Sequence, residues 1–247
     1  IVCAIVFAVS AYVIIDYLSK GHGAEQDVAE LRHLPTGHAE GDPDTYANAS
    51  ERYRALFERN GDFVGWLRVR GMDIDYPVTQ TPDDPEYYLH RNFEREYSRA
   101  GTLFASAIDD ITKPSDVTII YGHKMKNGSM FGTLSKLSDP DFYDEHRYLR
   151  FDTLSERRSY LIFAVCKTSV NTGEASEYRY YDYADFADEA DFDGFIDEAR
   201  RRQTFDAGVP VSYGDEIILL STCEGEDDSG RLIVLGKRIP NEDAPKY

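Results

Sequence analysis

Eight short segments rich in aliphatic, β-branched and aromatic residues constrain the fold of this chain most strongly. Several of them are apolar on both faces, so both sides must be covered in the folded protein. Closing such strands into a barrel also removes the exposed edges of the sheet. We therefore predict a mainly β fold with helical insertions, built on a closed eight-stranded barrel. The predicted strands span residues 63–71, 73–80, 101–106, 117–123, 148–153, 158–169, 216–223 and 231–239.

Helical periodicity interrupts the strand pattern in three places. An N-terminal helix is predicted from Asp44, and it stops at Asn60-Gly61, a pair that ends helices. A short helix is predicted over residues 129–137, with Ser129 as its N-terminal cap and one apolar face. That face comprises Met130, Phe131, Leu134 and Leu137.

The longest helix is predicted over residues 182–202, between two late strands. Its acidic residues come early and its basic residues late, which suits the helix dipole. The acidic run is therefore interpreted as a solvated helix face. The buried stripe is predicted to comprise Phe186, Ala190, Phe195, Ile196 and Ala199.

The beginning of the chain is almost entirely apolar. Residues 1–18 hold one charge, that of Asp16, and their length reaches the lower limit for a bilayer-spanning helix. We expect a membrane anchor; a cleaved signal peptide is the alternative, but apolar sequence continues past its small residues. Residues 19–43 mix Gly, Pro, His and acids and are expected to form a linker, followed by a folded domain over residues 44–247.

Charge and cysteine content exclude some classes of function. The chain has 45 acidic and 27 basic residues and a formal net charge of −18, so a nucleic-acid backbone is a poor partner. Its three cysteines, Cys3, Cys166 and Cys223, form no close pair, which favours neither a metal site nor a disulfide framework. Cys166 lies within an apolar strand and is predicted to be an inert core residue.

Cys223 ends an apolar run and is followed at once by acids that favour the protonated thiol, the wrong state for a nucleophile. If residues 224–230 form the loop of an antiparallel hairpin, however, Arg231 stands opposite Cys223 and shares its face of the sheet. The same register pairs Ser221 with Ile233. A unit positive charge about 4 Å from the sulfur favours the thiolate by roughly 1–4 kcal/mol. The acids are Glu224, Glu226, Asp227 and Asp228.

His123 is the histidine best placed to act as a base. It ends the predicted strand over residues 117–123 just before a loop, the same end-of-strand position that Cys223 occupies. An imidazole beside a thiol can form a thiolate and an imidazolium, and the cation then serves as general acid for a leaving amine. From these residues alone, a small buried cysteine and a satisfied histidine stay open as alternatives to a catalytic triad.

At these positions the sequence resembles class B sortases, the cysteine transpeptidases that attach proteins to Gram-positive cell walls. LLSTCEGEDDSGRLIVLGKR, residues 219–238, resembles the family's L-x-T-C signature with its downstream arginine. YGHKMKNGSMFGTLSKL, residues 121–137, is similar to the family's histidine segment, and residues 75–106 are similar to the strand and loop before it. The helix predicted over 182–202 also matches class B rather than class A. The resemblance covers residues 44–239.

The resemblance implies a sortase-type barrel with N-terminal helices, and a role for six residues. Cys223 would be the nucleophile, His123 the acid and base, and Arg231 the group that holds the substrate carbonyl or its oxyanion. The substrate groove would be lined by Ser221, Glu224 and Tyr181, with Tyr178, Tyr180 and Tyr183 as rivals to the last.

The resemblance also implies a reaction and partners. A C-terminal sorting signal of the Asn-Pro-x-Thr-Asn/Gly kind would be cleaved after its threonine through a cysteine thioester. An amine of the lipid-linked peptidoglycan precursor, lipid II, would then receive the surface protein, with no metal or other cofactor. A single-pass anchor would hold the protein in the cell membrane, with the catalytic domain, residues 44–247, outside the cell.

Four alternatives stay open. An L,D-transpeptidase also uses Cys, His and Arg, but the Ser-His-Gly-Cys context of its cysteine is absent here. A cysteine endopeptidase would share the nucleophile and transfer the acyl group to water. A pilus-assembling sortase usually carries a lid segment and a second hydrophobic segment at the end, whereas residues 240–247 are polar. A non-catalytic surface binding module would need no reactive thiol.

Overall fold

Eight strands of the chain close into one barrel. A computed structural model describes residues 28–32, 46–113, 115–170, 172–173, 177–224 and 229–245. The strands are β1 (Phe63–Val69), β2 (Ile74–Thr79), β3 (Leu103–Ala105), β4 (Val117–Tyr121), β5 (Tyr148–Thr153), β6 (Arg157–Ser169), β7 (Ile217–Cys223) and β8 (Gly230–Ile239). Their order around the barrel is β1-β2-β3-β4-β7-β8-β6-β5, and β5 pairs with β1. The predicted barrel is confirmed, with every strand end within two residues of its predicted position.

Two pairs of neighbouring strands are parallel, and one of them organises the end of the barrel. β2 is parallel to β3 and β4 is parallel to β7, whereas the other neighbours are antiparallel. The carboxyl ends of β4 and β7 therefore lie at the same end of the barrel. Because β8 is antiparallel to β7, its amino end lies there too. Three adjacent strands thus bring residues distant in sequence to one place.

Strand β7 shows why the sequence of these strands is apolar on both faces. Ile218 and Leu220 belong to the core cluster that fills the barrel. Ile217 and Leu219, on the opposite face, belong to a second cluster that includes the apolar side of helix α3, residues Glu189–Arg202. Each fully buried aliphatic side chain contributes roughly 1.5–3 kcal/mol relative to an exposed one. Burial on both faces therefore holds this central strand firmly.

Helix α3 is shorter than predicted. It begins at Glu189 rather than at residue 182, because the side chain of Asp188 accepts a backbone hydrogen bond of 3.0 Å from the first turn and caps the helix there. The buried face of the helix repeats every three to four residues from Phe192, and Ala190, two residues earlier, lies on the opposite face and is exposed. The rest of the predicted stripe is buried, namely Phe186, Phe195, Ile196 and Ala199.

The helix predicted over residues 129–137 is wrong in type and extent. Only Leu134–Ser138 is helical, as a short 3-10 helix. Ser129 does not cap it, because its hydroxyl donates a hydrogen bond of 2.8 Å to Oδ1 of Asn127. The predicted apolar face is nevertheless buried, as Met130, Phe131, Leu134 and Leu137.

Two further helices flank the barrel. Helix α1 (Tyr46–Arg59) begins two residues after its predicted start and stops before Asn60, as predicted. Helix α2 (Pro140–His146) was not predicted, although the Asp139-Pro140 pair is a typical helix start. The carboxylate of Asp139 accepts hydrogen bonds from two amides of the first turn, which caps the helix.

The segment before α1 lies mostly outside the described residues. This applies to the anchor predicted over residues 1–18 and to most of the linker predicted over residues 19–43. Residues 28–32 are helical, and Leu31 packs against Trp66 and other buried residues beside α1, so the linker prediction is wrong for this stretch. Within the part of the chain that the structure describes, no helix is both long and apolar enough to cross a membrane.

Candidate active site

Cys223 and Arg231 lie opposite each other on two antiparallel strands. The register of β7 and β8 pairs Cys223 with Arg231 and Ser221 with Ile233, which confirms the predicted hairpin register. The backbone N–H of Glu224 donates to the carbonyl of residue 230 at 2.9 Å and extends the pairing into the loop. Directly opposed residues have Cβ atoms about 4.5–5.5 Å apart on the same face of a sheet. The side chains of Cys223 and Arg231 therefore start next to each other on the same face of the sheet.

His123 reaches the same end of the barrel on the other side of β7. The parallel register pairs Tyr121 of β4 with Ser221 of β7, and Gly122 N donates to Ser221 O at 3.2 Å. His123 and Cys223 each lie two residues beyond this pair, on strands that neighbour each other at about 4.8 Å. The structure thus places His123, Cys223 and Arg231 at the ends of three adjacent strands.

Close packing fixes the backbone just before His123. A Cβ atom added to Gly122 would lie 2.8 Å from Cδ2 of Phe131 and would also clash with Leu103. Only glycine fits at such a close approach. The path of the chain into His123 is therefore set by the barrel core.

The imidazole of His123 is half-buried and is held on two sides. Its Nε2 lies 2.8 Å from the carbonyl oxygen of Leu89, and its ring stacks on that of His90 with the ring centroids 5.3 Å apart. Burial lowers the pKa of His123, the hydrogen bond to Leu89 raises it, and the charge of His90 lowers it, with a net decrease. The environment therefore disfavours the imidazolium unless a negative charge, such as a thiolate, stands nearby.

The guanidinium of Arg231 lies close to two tyrosines. Its Nη1 donates to the carbonyl of Gly230 at 2.9 Å. Burial raises the pKa of Tyr180 and of Tyr121, and the positive charge of Arg231 opposes both increases. The guanidinium is therefore close to both phenols, whereas Cys223 itself is exposed and accessible to a peptide.

Glu224 forms ion pairs with two lysines. It pairs with Lys124 and, at 3.4 Å, with Lys167. Burial raises the pKa of Glu224, but the hydrogen bond and the charge of Lys124, together with Lys167, outweigh this effect and leave the pKa below its usual value. Because Lys124 follows His123 and Glu224 follows Cys223, this ion pair joins the two loops and offsets one of the acids beside the thiol.

Two of the residues expected in the substrate groove lie at different depths. Ser221 is buried, and its hydroxyl shares a hydrogen bond of 2.8 Å with that of Tyr180. The hydroxyl of Tyr181 instead donates to Glu177 at 2.6 Å, and the guanidinium of Arg179 lies over its ring. Of the rival tyrosines, Tyr180 is therefore the one whose hydroxyl contacts the strand that carries Cys223.

Cys166 occupies a different environment from Cys223. It is fully buried, and its thiol donates to the carbonyl of Ala199 at 3.1 Å. Burial raises the pKa of Cys166 to about 12, so the thiolate is strongly disfavoured. The prediction of a core cysteine is confirmed.

Sequence patterns did not identify the contacts between His123 and residues 89–90. His90 carries no motif of its own, and the sequence predicts at most a small contribution from it to the substrate groove. Leu89 contributes a backbone carbonyl, a group that every residue possesses. Only the long-range packing of the loop before β3 reveals that both residues touch His123.

The arrangement can support acyl transfer. An exposed thiol, an imidazole and a guanidinium lie on three adjacent strand ends and supply a nucleophile, a proton carrier and an anion-stabilising donor. Among the described residues, no group of three or more His, Cys, Asp or Glu side chains could hold a metal ion.

Known proteins share both sequence and fold with this chain. No family model matches it. Over 191 residues it is 36% identical to sortase B of Listeria monocytogenes, an alignment that covers 76% of this chain and 74% of that protein. Over 190 residues it is 30% identical to sortase B of Staphylococcus aureus, with 76% of this chain and 75% of that protein covered.

Solved structures similar to the chain are also sortases. Sortase B from Bacillus anthracis in complex with AAEK1 has a TM-score of 0.75 and 30% identity, covering 91% of this chain and 100% of that one. The Staphylococcus aureus sortase B-substrate complex has a TM-score of 0.69 and 30% identity, with coverages of 77% and 85%. A sortase B complexed with triglycine has a TM-score of 0.69 and 30% identity, with coverages of 78% and 87%.

Proposed function

The chain belongs to the sortase B family and is a cysteine transpeptidase, and from this premise we propose its substrates and the roles of its residues. The donor is a surface protein with a C-terminal sorting signal of the Asn-Pro-x-Thr-Asn/Gly kind, which the enzyme cleaves after the threonine. The acceptor is an amine of lipid II. Cys223, His123 and Arg231 carry the reaction.

The reaction has two acyl transfers. The thiolate of Cys223 attacks the threonine carbonyl, and the oxyanion that forms accepts hydrogen bonds from the guanidinium of Arg231. His123, as imidazolium, donates its proton to the departing amine, and a thioester to Cys223 remains. The acceptor amine then attacks the thioester, loses a proton to His123, and releases the thiolate. The product is a new peptide bond between the threonine and the acceptor.

One observation carries these roles: the three side chains start from the ends of three adjacent strands, β4, β7 and β8, with Cys223 and Arg231 directly opposed. The pairing of Arg231 with Cys223 supports its proposed role as the donor to the oxyanion of the attacked carbonyl. His123 is half-buried, which favours proton transfer over a permanent charge. Ser221, Glu224 and Tyr181 are proposed to shape the substrate groove, Ser221 through its bond to Tyr180 and the other two from the surface.

Two of the similar structures support the donor and acceptor classes. One is a sortase B-substrate complex, and another holds triglycine, a peptide that offers a free amine. An exposed cysteine at a strand end is accessible to both a peptide and an amine. The cell membrane, with residues 1–18 as a single-pass anchor and the catalytic domain outside, is the proposed location. Lipid II presents its amine at that surface.

A peptide ligation assay tests the proposal. The protein is incubated with a fluorogenic peptide containing an Asn-Pro-x-Thr-Asn or Asn-Pro-x-Thr-Gly sequence, with and without triglycine, and the products are identified by mass spectrometry. Cleavage after threonine and a triglycine-ligated product are expected. Cys223→Ala should abolish both, whereas the matched control Cys166→Ala should retain most activity. Hydrolysis without ligation at saturating triglycine would instead favour a cysteine endopeptidase.

The location has its own test. Intact cells are treated with a membrane-impermeant protease, and the catalytic domain is followed by immunoblot in the membrane fraction. Degradation in intact cells supports an external domain. Protection in intact cells, with degradation only after lysis, would contradict it.

A further inference from the structure

A short turn contacts His123 at two points. The turn is the 3-10 helix Tyr87–His90. The carbonyl oxygen of Leu89 lies 2.8 Å from Nε2 of His123. The ring of His90 stacks on the ring of His123, with centroids 5.3 Å apart and planes inclined by 26°. Adjacent residues of one turn therefore contact an edge and a face of the same imidazole.

The turn itself is firmly anchored. Tyr88, which directly precedes the two contacting residues, is fully buried. Its hydroxyl donates to Asp62 at 2.7 Å and accepts from Nδ2 of Asn60 at 2.7 Å. The backbone N–H of Thr102 donates to the carbonyl of Tyr88 at 3.0 Å. A support held by buried side chains and backbone hydrogen bonds can fix the orientation of a reacting group.

The contact with Leu89 determines which ring nitrogen of neutral His123 is protonated. A backbone carbonyl only accepts hydrogen bonds, so Nε2 of His123 must be the donor at 2.8 Å. A neutral imidazole has one N–H group, and in this tautomer it is at Nε2. Nδ1 of the neutral ring therefore has a free electron pair and is the nitrogen that can take up a proton.

We infer that the turn Tyr87–His90 positions the general acid of the proposed reaction. The Leu89 carbonyl holds His123 as the Nε2–H tautomer, so that Nδ1 transfers the proton. The ring of His90 holds the imidazole in its orientation by stacking on it. This inference rests on the proposed function. Leu89 and His90 are positioning residues, since they act through His123 and not on the substrate.

The proton balance is complete with these groups. Nδ1 of His123 accepts the proton of the Cys223 thiol, which gives a thiolate and an imidazolium with hydrogen on both nitrogens. When the thioester forms, the Nδ1 proton passes to the departing amine, and the ring returns to the Nε2–H tautomer. In the second transfer, Nδ1 takes a proton from the acceptor amine and returns it to the sulfur of Cys223. The Nε2–H group stays hydrogen-bonded to Leu89 throughout.

His90 also affects the charge of His123. Burial lowers the pKa of His123, the Leu89 hydrogen bond raises it, and His90 lowers it because two positive rings in contact repel each other. A phenylalanine in place of His90 would keep a stacked ring, remove the repulsion and offer a π-face to the cation. Other titratable or charged groups at this end of the barrel are Tyr121 on β4, Lys124 and its partner Glu224, Cys223 on β7 and Arg231 on β8.

Nitrogen NMR tests the tautomer directly. The protein is labelled with ¹⁵N-histidine, and the His123 signals are assigned by comparison with His123→Gln. At a pH where His123 is neutral, Nε2 is expected to give a protonated, pyrrole-type signal and Nδ1 an unprotonated, pyridine-type signal. The opposite assignment, or rapid averaging between the two tautomers, would overturn the inference.

Variants of His90 test the positioning role. His90→Ala is expected to lower kcat by about tenfold through loss of alignment of the proton carrier, with KM changed by less than about twofold. His90→Phe is expected to retain kcat within about threefold of the parent, because the stacked ring is restored. In His90→Phe, the NMR titration midpoint of His123 should rise.

The matched control is His146→Ala, since His146 stacks on Phe142 in helix α2, away from this site. It should leave kcat and the His123 titration unchanged. If both His90 variants retained the kcat and the His123 titration of the parent, or if His90→Ala raised only KM, the positioning role would be overturned.

Failure of this inference and failure of the proposed function are distinguishable. Full activity in Cys223→Ala or His123→Ala would overturn the proposed function, whatever the tautomer. If Cys223→Ala and His123→Ala are inactive but the parent enzyme holds the Nδ1–H tautomer, the proposed function is retained and only the role of the turn is overturned.

Discussion

Replacing Arg231 by lysine separates two roles that the arginine could have. As a counter-charge it would favour the Cys223 thiolate, and a lysine at the same strand position would do the same. As an oxyanion donor it must present N–H groups in fixed directions, which the planar guanidinium does and a flexible ammonium does not. Nη1 of Arg231 donates to the carbonyl of Gly230 at 2.9 Å, so the guanidinium is already oriented before substrate binds.

The size of the effect follows from the same geometry. Cys223 and Arg231 are directly opposed in the register of β7 and β8, so under the proposed mechanism the guanidinium would donate to the oxygen of the carbonyl that the sulfur attacks. Loss of one preorganised oxyanion donor typically costs ~10²–10³ in kcat. The charge that remains in Arg231→Lys offsets part of this loss, which leaves an expected decrease in kcat of at least about tenfold. The melting temperature should change little, because the side chain is only partly buried.

The assay is steady-state cleavage of the sorting-signal peptide, with kcat and KM determined separately and folding checked by thermal denaturation. Arg231→Ala gives the effect of losing both charge and donors. Arg238→Lys is the matched control: it lies on β8 and pairs with Glu216 and Glu156 away from the thiol, and it should retain kcat. A folded Arg231→Lys enzyme with kcat within about threefold of the parent, far less than the cost of an oxyanion donor, would refute the oxyanion role.

Three further outcomes are expected. Burial raises the pKa of Asp109 from 3.8 to about 7, so the folded state loses stability as the pH rises from about 4 to 7. Asp109→Asn should therefore be more stable than the parent by up to about 4 kcal/mol at pH 8 but not at pH 4. Equal differences in the free energy of unfolding at both pH values, measured by urea denaturation, would contradict this. Glu224→Gln should speed alkylation of Cys223 about threefold, because it removes a negative charge from the residue next to Cys223, and a unit charge a few ångströms away in a water-like dielectric changes the free energy of the thiolate by roughly 0.7 kcal/mol. An unchanged rate would show that Lys124 and Lys167 already cancel that charge. The pH profile of kcat/KM should be bell-shaped, and the apparent pKa values of its two limbs should belong to the coupled Cys223–His123 pair. A profile with a single limb would argue against a paired thiolate and imidazolium.

Strands such as β7 were predictable because they are buried on both faces. The alternating residues of β7 belong to the barrel core and to the cluster under α3, and this dual burial is visible in the sequence as an unbroken apolar run. The order of the strands was not predictable, since burial on both faces does not say which strand is the neighbour. The parallel pairing of β4 with β7, which brings His123 to Cys223, is a property of the whole barrel.

Helix boundaries depended on single side chains. Helix α3 starts where Asp188 can cap it, seven residues after the predicted start. The segment after His123 has helical spacing of apolar residues, but Ser129 bonds to Asn127, and only a 3-10 helix forms after Thr133. Periodicity identified most of the buried residues in both segments, with Ala190 and Phe192 as the exceptions, but it did not predict where α3 starts or that the segment after His123 forms a 3-10 helix.

The site was predictable to the extent that it depends on local geometry. If residues 224–230 form the loop of a hairpin, the spacing puts Cys223 opposite Arg231, and this predicted pairing is present in the structure. The partner of His123 is a backbone carbonyl 34 residues earlier, which no sequence pattern can indicate. The choice between Tyr180 and Tyr181 also required the structure, because adjacent residues of one short 3-10 helix point to different neighbours.

The central claim is that Cys223 forms a thioester with the threonine of a sorting signal, and mass spectrometry of the trapped intermediate tests it most directly. The protein is mixed with the signal peptide in the absence of an amine acceptor, quenched in acid, and digested. An added mass equal to the peptide fragment that ends in threonine is expected on the segment that contains Cys223, and hydroxylamine should release it. Cleavage of the peptide with no adduct on Cys223, or with the adduct on Cys166, would contradict it.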